Sequence, residues 1–185
     1  SYQAMQQVRT GLTQTAGIES FLAGLQSVAV VETVRPDTVE RLAQLLAKTN
    51  QFKLNPETFS ASALQAGAQG VIALRLVDRM QDYGIVAVAV TQARGEALVI
   101  RNWVMSCRVF SRRLEFRMWR MIVDHARAAG LDSIRLTYIA SGKNGLVADL
   151  LPKLGFNHSA NAAEGEHEAP ALVPEDLPED HMKVD

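Results

Sequence analysis

The densest chemistry in this chain lies between positions 106 and 113, SCRVFSRR, where Arg108, Arg112 and Arg113 surround Ser111. An apolar, strand-like stretch from Trp103 to Phe110 runs into this turn, and a helical run leaves it and stops at Gly130. Backbone N–H groups at a helix start, reinforced by guanidinium groups that match phosphate bidentately, make an anion site. The competing reading is a solvated helix start, continued by Arg117 and Arg120. Cys107, the single cysteine, can serve as a nucleophilic thiol that carries an acyl group. Strand alternation instead puts it on the face of Trp103, Met105 and Val109, where free cysteine is a small buried hydrophobe. Asn144 opens a later helix, either as its N-cap or facing the acyl end of a ligand. Asp78 and Asp82 flank a turn, as paired carboxylates or as turn formers. His125 falls among Met118, Met121, Ile122 and Ala129 and reads as a core histidine. His158, His167 and His181 lack partners at ligand spacing, so no metal is expected.

These residues need a scaffold. A helix is expected over Tyr2–Gln14, broken at Gly17, then a short apolar helix (Ile18 to Leu25) and a β-branched strand (Ser27 to Val34). Arg35-Pro36-Asp37 opens a helix with apolar positions Val39, Leu42, Leu45 and Leu46. A short helix over 60–66 follows. Three strands then form an antiparallel meander, 71–78, 84–91 and 97–110; the middle one, IVAVAV, reads as buried on both faces. A crossover helix, a strand over Ser133–Ile139, a helix over Asn144–Leu154 and the start of a strand over 156–158 complete the order. The class is α/β, a mixed α+β sheet with helices on both faces, the antiparallel meander followed by a β-α-β-α unit.

The chain's 185 residues are 48% hydrophobic, enough for one substantial core. No run nears the ~18 apolar residues of a membrane span, and the start lacks a signal peptide's apolar core, so the cytoplasm is the default. The absence of an initial methionine suggests a piece of a longer protein. Residues 160–185 hold eight acidic residues and one lysine, a charge of −7, whereas residues 1–159 hold 18 basic and 12 acidic, a charge of +6. The expected layout is a helical linker at 1–17, a globular domain at 18–159 and an acidic, disordered tail at 160–185. The basic helix lacks aromatic interleaving, which argues against nucleic acid.

The order of elements, the turn Arg108-Val-Phe-Ser111-Arg-Arg113 and the later Leu154-Gly155-Phe156 resemble the GNAT N-acetyltransferase fold, whose pyrophosphate loop reads Arg/Gln-x-x-Gly-x-Gly/Ala. A narrower resemblance lies in AQLLAKTNQFKL (43–54), DRMQDYGIVAV (78–88), WVMSCRVF (103–110) and KNGLVADLLPKLGF (143–156). These strings are similar to the C-terminal, GNAT-like half of FkbH-like proteins, which join it to a HAD-like phosphatase domain. That resemblance implies transfer of a glyceryl group from a phosphoglycerate donor to an acyl carrier protein in polyketide biosynthesis. It implies that Arg108, Val109, Phe110, Ser111, Arg112, Arg113 and Asn144 meet phosphopantetheine or CoA, and that Asn50, Gln51 and Ser106 line the substrate cleft; Cys107 is the catalytic candidate on its thiol chemistry alone. Asn50 and Gln51 also suit C-terminal capping of the preceding helix. The implied partners are the carrier protein and an upstream HAD-like domain. Glycine in the family loop is replaced here by Ser111 and Arg113, and the tyrosine that serves acetyltransferases as general acid aligns with Leu151, which has no proton to give. The alternatives are an acyl-CoA-dependent N-acetyltransferase and a non-catalytic docking module.

Overall fold

A computed structural model describes residues 2–157 and 164–185. The order is α1 (Tyr2–Gly24), β1 (Val28–Glu32), α2 (Val39–Lys48), β2 (Phe52–Lys53), α3 (Ala61–Gln65), β3 (Gly70–Val77), β4 (Asp82–Arg94), β5 (Ala97–Met105), α4 (Leu114–Ala128), β6 (Ser133–Tyr138), α5 (Gly145–Leu150), β7 (Gly165–Pro170) and β8 (Lys183–Val184). Single 3-10 turns cover Cys107–Val109 and Leu151–Leu154. The strands form one mixed sheet in the order β7-β6-β5-β4-β3-β1-β8, with β2 paired to β5 outside that path. The meander β3-β4-β5 is antiparallel, and α4 carries the chain from β5 to its parallel neighbour β6.

Helices cover both faces, and β4 is buried between them as its continuous apolar run requires. Leu114, Met118, Trp119, Ile122 and Val123 of α4 pack on one face with Val147 and Leu150 of α5. On the other face Val39, Leu42, Leu45 and Leu46 of α2 pack on Ile85, Val88 and Val90. At roughly 1.5–3 kcal/mol for each large apolar side chain removed from water, these two layers dominate stability. α4 stops at Gly130, whose φ of 71° lets Leu131 N turn back to Ala126 O at 2.9 Å.

Four expectations need correction. Gly17 does not break α1, which continues from Tyr2 to Gly24 with Leu22 as its buried residue; a glycine costs a helix about 1 kcal/mol, too little to stop it. The strand expected to reach Phe110 ends at Met105. The acidic segment is not a disordered tail outside the domain, because described residues 164–185 belong to the sheet. β7 lies antiparallel to β6 with His167 and Ala169 buried, and β8 lies parallel to β1 at the opposite end. Between them residues 171–182 cross α4. Their charge is compensated there: Asp180, buried, receives Arg117 at 2.9 Å and Arg120 at 2.8 Å. Composition registers the like charges but not partners some 60 residues away in sequence. Phe156 and Asn157 are not a strand, and His158 lies outside the described residues. No helix among the described residues is long and apolar enough to cross a membrane.

Candidate active site

β5 closes where Ser106 N donates to Val86 O at 2.8 Å, and Ser106 Oγ then caps the 3-10 turn by accepting from Arg108 N at 3.4 Å. Turning the backbone here swings Cys107 out of the sheet. Its side chain is exposed rather than on the core face that alternation implied, because the strand stops two residues before it. Val109 points the other way and is buried. Ser111 (φ 67°) and Arg113 (φ 63°) occupy the left-handed region that glycine enters most cheaply. Those are the two positions at which the acetyltransferase loop carries glycine, so the turn keeps that backbone form without the residue.

The arginines of the turn are committed within the protein. Arg108 Nη2 donates to Tyr83 O at 3.1 Å. Arg112 Nη2 donates to Tyr83 Oη at 3.1 Å, its Nη1 sits 3.8 Å from Asp78, and the guanidinium lies over the Phe21 and Tyr83 rings. Arg113 holds Glu19 at 2.7 Å and Glu179 O at 2.8 Å. His181, then Arg113, hold the Glu19 carboxyl below its usual range. The carboxylates expected as a possible pair serve separate roles: Asp78 accepts from Met80 N and Gln81 N in the turn, and Asp82 pairs with Arg75. His125 is exposed, not a core residue.

Beside the turn, Phe110, Ser111, Glu115 and Phe116 face Leu146, Asp149, Leu150 and Lys153 across a cavity of about 310 Å3. Burial pushes the Glu115 carboxyl up, and its Oε2 is enclosed without a hydrogen-bond partner among the described residues. A pyrophosphate placed here would meet arginines already bound and two carboxyl groups. The turn as folded does not fit one. Leu151 is fully buried.

The parallel pair β5–β6 is in register only from Ala97↔Ser133 to Ile100↔Leu136. Beyond it the strands part, and residues 52–57 fill the split. β2 pairs with β5 through Phe52↔Met105 and Lys53↔Val104, and Ile139 N donates to Leu54 O at 2.9 Å. Three buried asparagines fix this insert. Asn55 Nδ2 bridges Arg101 O and Thr137 O, each at 3.0 Å; Asn102 Nδ2 reaches Asn55 O at 2.9 Å and Glu57 O at 2.7 Å. Asn144, expected at a cofactor, instead donates to Lys53 O at 2.8 Å and Ile139 O at 3.0 Å and accepts from Ser141 N at 2.9 Å. It makes no side-chain cap to α5. An aromatic row, Phe52–Trp103–Trp119–Phe156, with centroid spacings of 5.1, 6.4 and 5.2 Å, anchors the insert to the core.

The insert delivers Asn50 and Gln51 to the carboxyl end of β5, where a parallel strand pair conventionally opens its crevice. There Asn50, Gln51, Ser106 and Cys107 line one cleft of about 620 Å3 with Arg41, Gln44, Lys48 and Lys143. No acidic side chain lines it. Burial, and then the charge of Arg108, pushes the Arg41 pKa down. A larger hollow of about 990 Å3 along Tyr2–Gln14 is walled by a single exposed helix and holds one charge, Arg9, so it lacks the groups for chemistry. Among the described residues no His, Cys, Asp or Glu cluster can hold a metal. Sequence reasoning missed Arg41, Gln44 and Lys48, although their spacing marks the helix face opposite Leu42 and Leu46.

No protein-family profile matches the chain, and no curated protein matches it. Solved structures do. The ribosomal-protein-S18-alanine N-acetyltransferase of Escherichia coli superposes with a TM-score of 0.56 at 16% identity, covering 82% of this chain and 100% of its own. A GNAT-family putative acetyltransferase from Desulfovibrio desulfuricans gives 0.57 at 12% identity, covering 79% and 99%. Nourseothricin acetyltransferase gives 0.53 at 10% identity, covering 80% and 99%. The fold is that of the GNAT N-acetyltransferases.

Proposed function

We propose that the chain is the GNAT-fold acyltransferase part of an FkbH-like enzyme, which passes a glyceryl or related acyl group between Cys107 and the phosphopantetheine thiol of an acyl carrier protein in polyketide-type biosynthesis. A HAD-like phosphatase domain is its proposed companion. The observation that carries the reading is the convergence of Asn50 and Gln51 with Ser106 and Cys107, two segments over 50 residues apart in sequence, in one basic cleft.

The chemistry is thioester exchange. The carrier's thiol attacks the carbonyl of the Cys107 thioester, a C–S bond forms to the carrier, the bond to Cys107 Sγ breaks, and the proton of the attacking thiol ends on Cys107. Lys48, Lys143 and Arg41 balance negative charge that develops on the carbonyl oxygen. Asn50, Gln51 and Ser106 supply hydrogen-bonding groups for the acyl substituent. The turn Arg108–Arg113 and Asn144 hold the walls, and no step runs through a pyrophosphate at that turn. A CoA-dependent N-acetyltransferase fits less well, because Leu151 offers no proton.

The exchange is reversible, which provides the test. Carrier protein charged with a glyceryl or short acyl thioester is mixed with the chain, and intact mass is measured. An acyl adduct on Cys107, absent in Cys107→Ser and with uncharged carrier, is expected. Failure to form it, with no binding preference for holo- over apo-carrier, refutes the reading. A non-catalytic docking module is favoured by one observation, the exposed Tyr2, Met5, Val8 and Leu12 along α1; it predicts carrier binding without any adduct.

A further inference from the structure

From Tyr2 to Ile18 every residue of α1 is exposed, so about 25 Å of helix stands clear of the domain. Isolated helices of this length are marginal in water, and Gly11, Gly17 and the threonines at 10, 13 and 15 weaken this one further. Tyr2, Met5, Val8 and Leu12 are 77%, 73%, 63% and 67% exposed. Arg9 is the single charge between Tyr2 and Ile18, and it has no ion-pair partner among the described residues. A solvated helix is kept in water by its charges; this one presents an apolar face instead. That face has heptad spacing. Steps of three and four alternate through Tyr2, Met5, Arg9, Leu12, Ala16, Glu19 and Ala23, which is the seam of a coiled coil. The seam is open along its length: Ala16 and Ala23 are exposed and the Glu19 side chain keeps 38% of its exposure. Leu22 and Leu25, both buried, hold the end of α1 to the domain from another side.

We infer that α1 pairs antiparallel with α1 of a second copy of this chain, about a twofold axis level with Gln14. In such a pair, residues equally far from the axis in opposite directions lie at one height. Two steps from Gln14 reach Leu12 one way and Ala16 the other; five reach Arg9 and Glu19; nine reach Met5 and Ala23. One axis therefore sets Leu12 over the partner's Ala16, Met5 over the partner's Ala23, and Arg9 against the partner's Glu19. Each large side chain meets a small one, and each cation meets a carboxylate. A parallel pair would oppose every residue to its own copy, Arg9 to Arg9 and Glu19 to Glu19, and like charges reject it. Glu19 already holds Arg113 and His181, but the exposed Glu179 stands beside them, its Oε1 taking only His181 N at 3.3 Å. Arg9 of the second copy thus joins two carboxylates and one arginine and balances them. Eight large side chains in the pair, each giving up on the order of 100 Å2, with the alanines between them, bury about 1,000 Å2, where weak but specific dimers lie. The interface is built from α1 alone, apart from the Cys107 cleft, and does not depend on the transfer reading.

Sedimentation equilibrium of the whole chain over about 5–200 μM should show a monomer–dimer equilibrium. Met5 and Leu12 lie on the part of α1 that stands clear of the domain, so Met5→Glu and Leu12→Glu should each weaken association about tenfold or more and leave the near-ultraviolet circular dichroism of the domain unchanged. Register is read by oxidative cross-linking in a Cys107→Ser background, which removes the single native thiol. Met5→Cys and Ala23→Cys chains, mixed in equal amounts and oxidised, should give the mixed dimer well above the half that random pairing yields, because the two positions face each other. A chain that stays monomeric across the range, whether or not it binds carrier protein, overturns the inference. So does a dimer indifferent to Leu12→Glu, or oxidation that joins Met5→Cys chains to one another in preference.

Discussion

Replacing Asp180 with alanine tests how the segment 171–182 is held. Its carboxylate is fully enclosed, takes Arg117 Nε and Nη2 on one oxygen at 3.1 and 2.9 Å, and takes Arg120 Nη1 on the other at 2.8 Å. Met182 N donates to the same Oδ1 at 3.0 Å. Removing one partner of a buried ion pair costs about 3–5 kcal/mol, because the partner charges stay behind without compensation. Here the arginine side chains keep 19% and 20% of their exposure, so water recovers part of that loss and the lower half of the range applies. For a domain of this size each kcal/mol moves Tm by about 2–4 °C, which gives a fall of roughly 6–16 °C in a calorimetric melt. Asp180→Asn should fall almost as far, since shape without charge leaves the same two cations bare. Converting all three positions to apolar residues (Asp180→Leu, Arg117→Met, Arg120→Met) should recover most of the loss. An Asp180→Ala protein melting within about 2 °C of the parent, with amides 177–182 still protected from exchange, would refute the claim that this carboxylate fastens the segment.

Other variants examine the turn, the insert and the buried carboxyl. Ser111→Gly should stabilise by about 0.5–1 kcal/mol, since glycine enters the left-handed region freely, whereas Arg113→Gly should destabilise because it loses Glu19; urea midpoints of equal sign for both would contradict this. Asn144→Ala should cost about 2–4 kcal/mol and speed amide exchange at Leu54, because Lys53 O and Ile139 O lose their donor; unchanged exchange there would show that the insert does not depend on it. Glu115 gives a pH signature. Its folded pKa is raised by burial, so the unfolded chain ionises first and stability declines as pH rises past the usual glutamate value toward the folded one. Glu115→Gln should then be more stable than the parent at pH 7 and no different at pH 4, and the reverse order in urea titrations would be decisive against it.

Periodic apolar runs were readable: the meander, α2 with its Val39–Leu46 stripe, and α4 up to Gly130 all follow from spacing alone. What failed to read were features set by distant partners. Cys107 looked buried because alternation was extended past Met105, and nothing local signals that Ser106 turns the chain to Val86 O. Asn144 looked like a cap or ligand contact because its acceptor, Lys53 O, lies 91 residues away. The acidic segment looked disordered because its compensating arginines are on α4. The cleft itself was half legible, since Asn50, Gln51, Ser106 and Cys107 were named from sequence while Arg41, Lys48 and Lys143 emerged only when α2 and the loop before α5 were brought together.

Residues 165–185 also close the sheet at both margins, with β7 outside β6 and β8 outside β1. Each of those inner strands is apolar enough to recruit another chain if left uncovered. A proteolytic cut that frees this one segment would bare two sticky margins at once, on opposite sides of the molecule. Two such margins per molecule permit chain growth rather than simple pairing, so loss of the segment should show itself as polymerisation before it shows as unfolding.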